Sequence, residues 1–151
     1  MSTELSDYLK QHSTLVDRGL HNELIDEIAD NLPLIGISGQ SNVHKEVELV
    51  EGKRVIGSVD IVVEILDGLY VIEGKTLKYG SPDSRSTIKA VVSLNRELRK
   101  ASRFFDRNFS TKPRKIGIFR YNGQRELRFY ELDVDANFRK AESVHAIAYM
   151  A

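Results

Sequence analysis

GSVDIVVEILDGLYVIEGKT, residues 57–76, reads as two β-strands joined by a tight turn. Asp67-Gly68 is a strong hairpin signal, because both residues tolerate the positive φ that a two-residue turn demands. Upstream of it the odd positions Val55, Gly57, Val59, Ile61, Val63 and Ile65 are all apolar or glycine, so a strand is expected over 54–65. Downstream, a second strand is expected over 69–77. Its opening residues, Leu69–Ile72, are apolar and aromatic, as in a central strand. Asp60 falls on the even face of the first of these strands. Glu73 and Lys75 lie two apart on the second, so both point to one side. With so short a turn between them, two carboxylates and one ammonium are expected on a single patch. An exposed Asp–Lys pair on a strand is commonly worth under ~1 kcal/mol and does nothing more. Here Asp60 is bracketed by Val59, Ile61, Val62 and Val63, a costly setting for a carboxylate without a task.

Working outward, Val43, Val47 and Leu49 alternate with His44, Glu46 and Glu48, which adds a half-buried strand whose polar residues are expected to face water, or else to rim the site. Glu51-Gly52 turns it into the next strand, so residues 43–77 form a three-strand antiparallel meander. Before it, Thr3–Gln11 predicts a short helix. Val16, Leu20, Leu24, Ile28 and Leu32 then predict an amphipathic helix capped by Ser13 and stopped by Pro33. A short strand is expected at Leu34–Ile37. After the meander, a helix capped by Asp83 or Ser84 runs to about Asn108, its apolar stripe being Ile88, Val91, Val92, Leu98 and Phe105. Strands are expected at 115–121, 126–132 and 144–150, with Asn122-Gly123 as a turn. The order is helix, three strands, helix, strand, with added C-terminal strands. It predicts an α/β fold with a mixed central sheet and helices on its faces.

The chain has 151 residues, 41% hydrophobic and 29% charged, which predicts one globular domain spanning 1–151. It has no cysteine, which excludes a disulfide framework, a thiolate zinc site and a cysteine nucleophile. The four histidines lack zinc spacing, and there is no P-loop, Rossmann glycine fingerprint or G-x-S-x-G. No apolar run approaches a membrane span and the N-terminus does not read as a signal peptide, so no membrane partner and a cytoplasmic location are expected. Net charge is zero, but its distribution is not even. Residues 1–84 hold 7 basic and 15 acidic residues, residues 85–120 hold 11 and 2, and residues 121–151 hold 4 and 5.

Oxygen ligands such as Asp60 and Glu73 suit Mg²⁺ or Mn²⁺, which retain waters and accept phosphate oxygens. A lysine beside them can position a water or stabilise charge on phosphate. The run 57–76 resembles the core of the PD-(D/E)xK nuclease superfamily, in which an Asp precedes a Glu-x-Lys by about a dozen residues. Asp60, Glu73 and Lys75 match these positions. RGLHNELIDEI, residues 18–28, is similar to the first helix of small archaeal Holliday-junction resolvases and related viral nucleases, with Glu23 in the place of their helix glutamate. The resemblance implies a restriction-endonuclease-like core and a metal-dependent endonuclease acting on DNA rather than RNA. It implies Mg²⁺ (or Mn²⁺) held by Asp60, Glu73, the Gly74 carbonyl and Glu23, with Lys75 completing the catalytic set, and a homodimer. Two departures stand out. Val59 occupies the position of the motif's proline, and Gly74 replaces a residue that is usually β-branched or apolar. On a helical wheel Glu23 lies about 60° from Leu20 and Glu27 about 20°, so geometry leaves both open.

Lys89, Arg96, Lys100, Arg103 and Arg107 step by 7, 4, 3 and 4, a basic stripe expected beside the apolar face of the long helix. Lys78, Arg85, Lys89, Arg96, Lys100 and Arg103 are the candidate nucleic-acid contacts, Lys78 and Arg85 nearest the scissile phosphate. Two other readings fit the same residues: a nuclease-like fold that binds without cutting, and a small assembly domain whose acidic and basic halves pair.

Overall fold

In the computed structural model the described residues are 3–13, 20–78, 85–132 and 146–149. Two short helices, α1 (Thr3–His12) and α2 (Leu20–Asp30), lead through a 3-10 turn at Leu32–Ile35 into the meander β1 (Asn42–Glu51), β2 (Arg54–Ile65) and β3 (Gly68–Leu77). The long helix α3 (Arg85–Phe109) follows, then β4 (Arg114–Tyr121), β5 (Glu126–Leu132) and β6 (Ala146–Tyr149). The six strands form one sheet in chain order. Every neighbouring pair is antiparallel except β3 and β4, which α3 connects in parallel. A parallel pair needs a crossover of this length, and the helix supplies it.

The period-two pattern of β3 decides which side each helix covers. Leu69 and Val71 pack with Leu5 and Leu9 of α1 and with Val91, Leu94, Leu98, Phe104 and Phe105 of α3. Tyr70 and Ile72 pack on the other face with Leu24, Ile25 and Ile28 of α2. A strand covered on both faces must be apolar throughout, which is what Leu69–Ile72 displays. Tyr8 fastens α1 to β1, its hydroxyl donating to the Glu48 carbonyl at 2.6 Å and accepting from the Val50 amide at 2.8 Å. Among the described residues no helix is long and apolar enough to cross a membrane.

Several local expectations are corrected. Ser13 does not open α2. It closes α1, its hydroxyl donating to the Leu9 carbonyl, and its backbone bridges to Val47 on the outer edge of β1. Leu34–Ile37 is no strand, because Pro33 stands inside the 3-10 turn and Gly36 ends it in the left-handed region (φ 88°). Val16, the cap candidates Asp83 and Ser84, and positions 144, 145 and 150 of the last strand lie outside the described residues. His44 does not face water. Its Nε2 lies 2.7 Å from Glu64 Oε1, and Ser6 of α1 donates to Glu64 Oε2 at 2.6 Å, so the buried Glu64 carboxylate has two partners.

Tight packing sets the glycine positions in the sheet. A Cβ at Gly117 would fall inside the Tyr130 ring, which is itself buried, with its hydroxyl donating to Asn95 Oδ1 at 2.5 Å. A Cβ at Gly57 would meet only the end of the Lys100 side chain, 3.0 Å from its Cε. Gly117→Ala is therefore expected to cost about 1–3 kcal/mol or more, the usual range for overpacking. Gly57→Ala should shift the urea midpoint little, because the flexible lysine can move. Equal shifts for the two variants would contradict this packing.

Candidate functional site

The hydrogen-bonded ladder between β2 and β3 runs from Ile65↔Gly68 to Ile61↔Ile72 and stops there. Beyond that point β2 continues with β1 alone, and β3 continues with β4 through Leu77↔Tyr121. The two strands fork. Asp60 sits at the fork, and its Oδ2 accepts the Gly74 amide at 2.9 Å. The carboxylate thus replaces the carbonyl that a continuing ladder would have offered. A buried N–H left without a partner would cost about 1–3 kcal/mol. The side-chain alternation of β2 slips here: Val59 and Val62 both belong to the α1/α3 face, where strict alternation would have separated them.

Glu73 and Lys75 occupy the next odd positions of β3, on the α3 side. Asp60 and Glu73 are 5% and 8% exposed. Burial raises the Glu73 carboxyl well above its ordinary range, and the negative charge of Asp60 and a hydrogen bond with it raise it further, with a smaller push from Glu97. Glu73 Oε1 is buried and has no hydrogen-bond partner among the described residues. Lys75 is half-buried and forms no ion pair among the described residues.

Gly74 points to the opposite face, where a Cβ would come within 3.2 Å of Ile28 Cδ1 and 3.4 Å of Leu24 Cδ2. This explains the glycine between Glu73 and Lys75: α2 rests directly on the strand there. Glu23 lies in the turn of α2 near Gly74, but it is exposed and on the sheet face away from Glu73 and Lys75. The structure does not bring it to the other three. Glu27 forms an ion pair with Arg120 of β4. Among the described residues no group of three or more His, Asp or Glu side chains is arranged to hold a metal ion.

Two acidic residues near the fork stand differently from the sequence expectation, one of them not singled out there at all. Glu97, from the middle of α3, is close enough to act on Glu73. The available signal was its isolation: it is one of only two acids among residues 85–120. Glu46, expected to face water, is 2% exposed. The pairs Lys45↔Ile61 and Val47↔Val59 bracket it opposite Asp60, and its φ of 49° breaks the alternation of β1. Nothing in the local pattern announces that kink.

The basic stripe lies mainly opposite the buried side of α3, not beside it. Lys89, Arg96, Lys100 and Arg103 are exposed and form no ion pair among the described residues. Lys100 also lies over Gly57 of β2. Arg107 is taken up by Glu51, at 2.9 and 2.6 Å. Lys78 and Arg85 are exposed on either side of residues 79–84.

No family model and no curated protein matches the chain. A solved structure, titled "Crystal structure of SSO0001", aligns with 78% of the chain at 18% identity and a TM-score of 0.37. The aligned part spans half of that chain's length. A likeness at this level assigns neither fold nor activity.

The raised Glu73 carboxyl makes stability depend on pH. Its native form holds the proton more tightly than its unfolded form, so its contribution is full below the ordinary carboxylate range. That contribution declines as pH rises towards the raised native value. Glu73→Gln removes this loss. Urea unfolding is expected to show the variant gaining on wild type between pH 5 and pH 8. A constant difference across that range would disprove the assignment.

Proposed function

We propose that this protein is a divalent-metal-dependent endonuclease of PD-(D/E)xK type, hydrolysing phosphodiester bonds of nucleic acid, with DNA as the first substrate to test. The observation that carries the reading is the pairing of the Asp60 and Glu73 carboxyls at the strand fork, with the unpaired Lys75 two residues on and on the same side as Glu73. Asp60, Glu73 and the Gly74 carbonyl would hold Mg²⁺ or Mn²⁺. The fit is supported by the buried Glu73 Oε1, which has no hydrogen bond among the described residues, and by the raised Glu73 carboxyl, since a dication beside it would offset the repulsion from Asp60. Mg²⁺ keeps several waters, so few protein ligands suffice. When bound, such an ion supplies a nucleophilic water and neutralises charge on the phosphate.

The chain's own residues do the rest. Asp60 keeps the fork open while it accepts the Gly74 amide. Lys75 donates to the attacking water or to a non-bridging phosphate oxygen, where charge develops. Glu97 lies near enough for its charge to act on Glu73, whereas Glu23 faces away. Lys89, Arg96, Lys100 and Arg103 hold flanking phosphates, and Lys78 and Arg85 border the approach.

The deep burial of both carboxylates favours one second reading, a nuclease-like domain that binds without cutting. Labelled duplex, junction, flap and single-stranded substrates, incubated with Mg²⁺ or Mn²⁺, separate the two. Wild type is expected to cut at least one substrate. Lys75→Ala and Glu73→Gln should each lose roughly 10²–10³-fold in rate while still binding it. Binding by wild type with no cleavage under either metal would overturn hydrolysis in favour of the second reading.

A further inference from the structure

The far end of α3 carries a second feature that the fork does not use. The helix stops at Phe109, where Ser110 turns into the left-handed region (φ 51°) and its amide reaches back to the Asp106 carbonyl at 3.0 Å. Pro113 is buried and starts the chain into β4. This return brings Lys112 and Lys115 against the last turns of the helix. Together with Arg99, Ser102, Arg103 and Asp106 they line a cleft of about 300 Å³.

Four cations and one carboxylate therefore surround one concavity. Arg99 and Lys115 are each engaged within the chain, and Lys115 is only 7% exposed. Arg103 and Lys112 are exposed and have no ion pair among the described residues. Like charges gathered in a cleft repel more strongly than on an open surface, because less water screens them. An anion relieves that repulsion, and Ser102 adds a hydroxyl donor. The arginines suit phosphate oxygens in particular, which their planar fork can meet with two parallel hydrogen bonds.

The position of the cleft narrows the ligand. Arg103 lies six residues beyond Glu97, roughly 9 Å along the helix axis. Lys115 is in register with Val71, four residues from Lys75, roughly 13 Å along the sheet. The six residues also turn Arg103 about 120° around the helix from Glu97, so at about 3.4 Å per nucleotide these spacings set a minimum of about three nucleotides. Arg96, Lys100 and Arg103 ascend the same side of α3 between the fork and the cleft.

We infer that this cleft is a phosphate-binding subsite, and that its ligand is a backbone phosphate of a nucleic-acid strand passing over the outer side of α3, at least three nucleotides from the group at the fork. The inference rests on the nucleic-acid partner proposed above but not on cleavage.

The test is duplex binding in EDTA across 50–200 mM salt. The double variant Arg103→Ala/Lys112→Ala is compared with wild type and with Lys53→Ala/Arg54→Ala, which removes two exposed cations from the β1–β2 turn. Two lost phosphate contacts should lower the salt slope by about 1.8, so affinity should fall roughly tenfold less over that range. The control pair should leave the slope near the wild-type value. Equal slopes for both pairs would overturn the subsite. Binding of inorganic phosphate without any binding of duplex would overturn the strand as its occupant. Because no step requires cutting, a catalytically silent protein can still pass, and an active one can still fail.

Discussion

The buried hydrogen bond from the Gly74 amide to the Asp60 carboxylate is the constraint on which the rest of the arrangement depends. Two antiparallel strands cannot separate inside a protein without stranding backbone donors. Asp60 meets that requirement with a side chain, and β2 and β3 are then free to part. The fork leaves Glu73 with a single neighbouring strand and sets its carboxyl against that of Asp60. It also leaves Gly74 bare on the other face, where Leu24 and Ile28 of α2 settle onto it. One polar contact thus organises the carboxyl pair on one side of the sheet and the helix docking on the other.

The charge distribution acquires a physical meaning in the fold. Several of the eleven cations between residues 85 and 120 are used inside the molecule. Arg107 pairs with Glu51, Arg114 with Glu131, and Arg120 with Glu27. These pairs tie α3 and β4 to the acidic part of the chain and to β5, and exposed pairs of this kind contribute at most about 1 kcal/mol each. Four cations on the outer side of α3 form no ion pair among the described residues. The asymmetry is therefore partly an internal matter and partly a concentration of exposed positive charge on α3.

The meander was legible because its determinants are local. Asp67-Gly68 sets the turn, the period of two sets the faces, and the short connection brings Asp60 near Glu73 whatever the rest of the chain does. The course of α3 was legible for the same reason, through its apolar spacing. Leu34–Ile37 misled because a short apolar run has no period long enough to distinguish a strand from a 3-10 turn. Glu46 misled because a single backbone kink reverses a strand's faces, and the surrounding residues still alternate. The basic stripe was recognised as a stripe, but its angle to the buried side was misjudged, because Ala90, Asn95 and Ala101 are buried alongside the large apolar residues.

By itself the sequence determined the order of elements, the mixed α/β sheet, the nearness of Asp60 and Glu73, and the concentration of positive charge after them. Each of these follows from residues close together in the chain, where turn chemistry and side-chain period act directly. Only the tertiary structure decided that Glu97 and not Glu23 approaches Glu73, that Glu46 stands opposite Asp60, that Gly74 is a seat for α2, and that Lys112 and Lys115 close a cleft with α3. Those contacts join residues distant in sequence, whose separation in space is set by how whole helices dock on the sheet, and no local pattern records it.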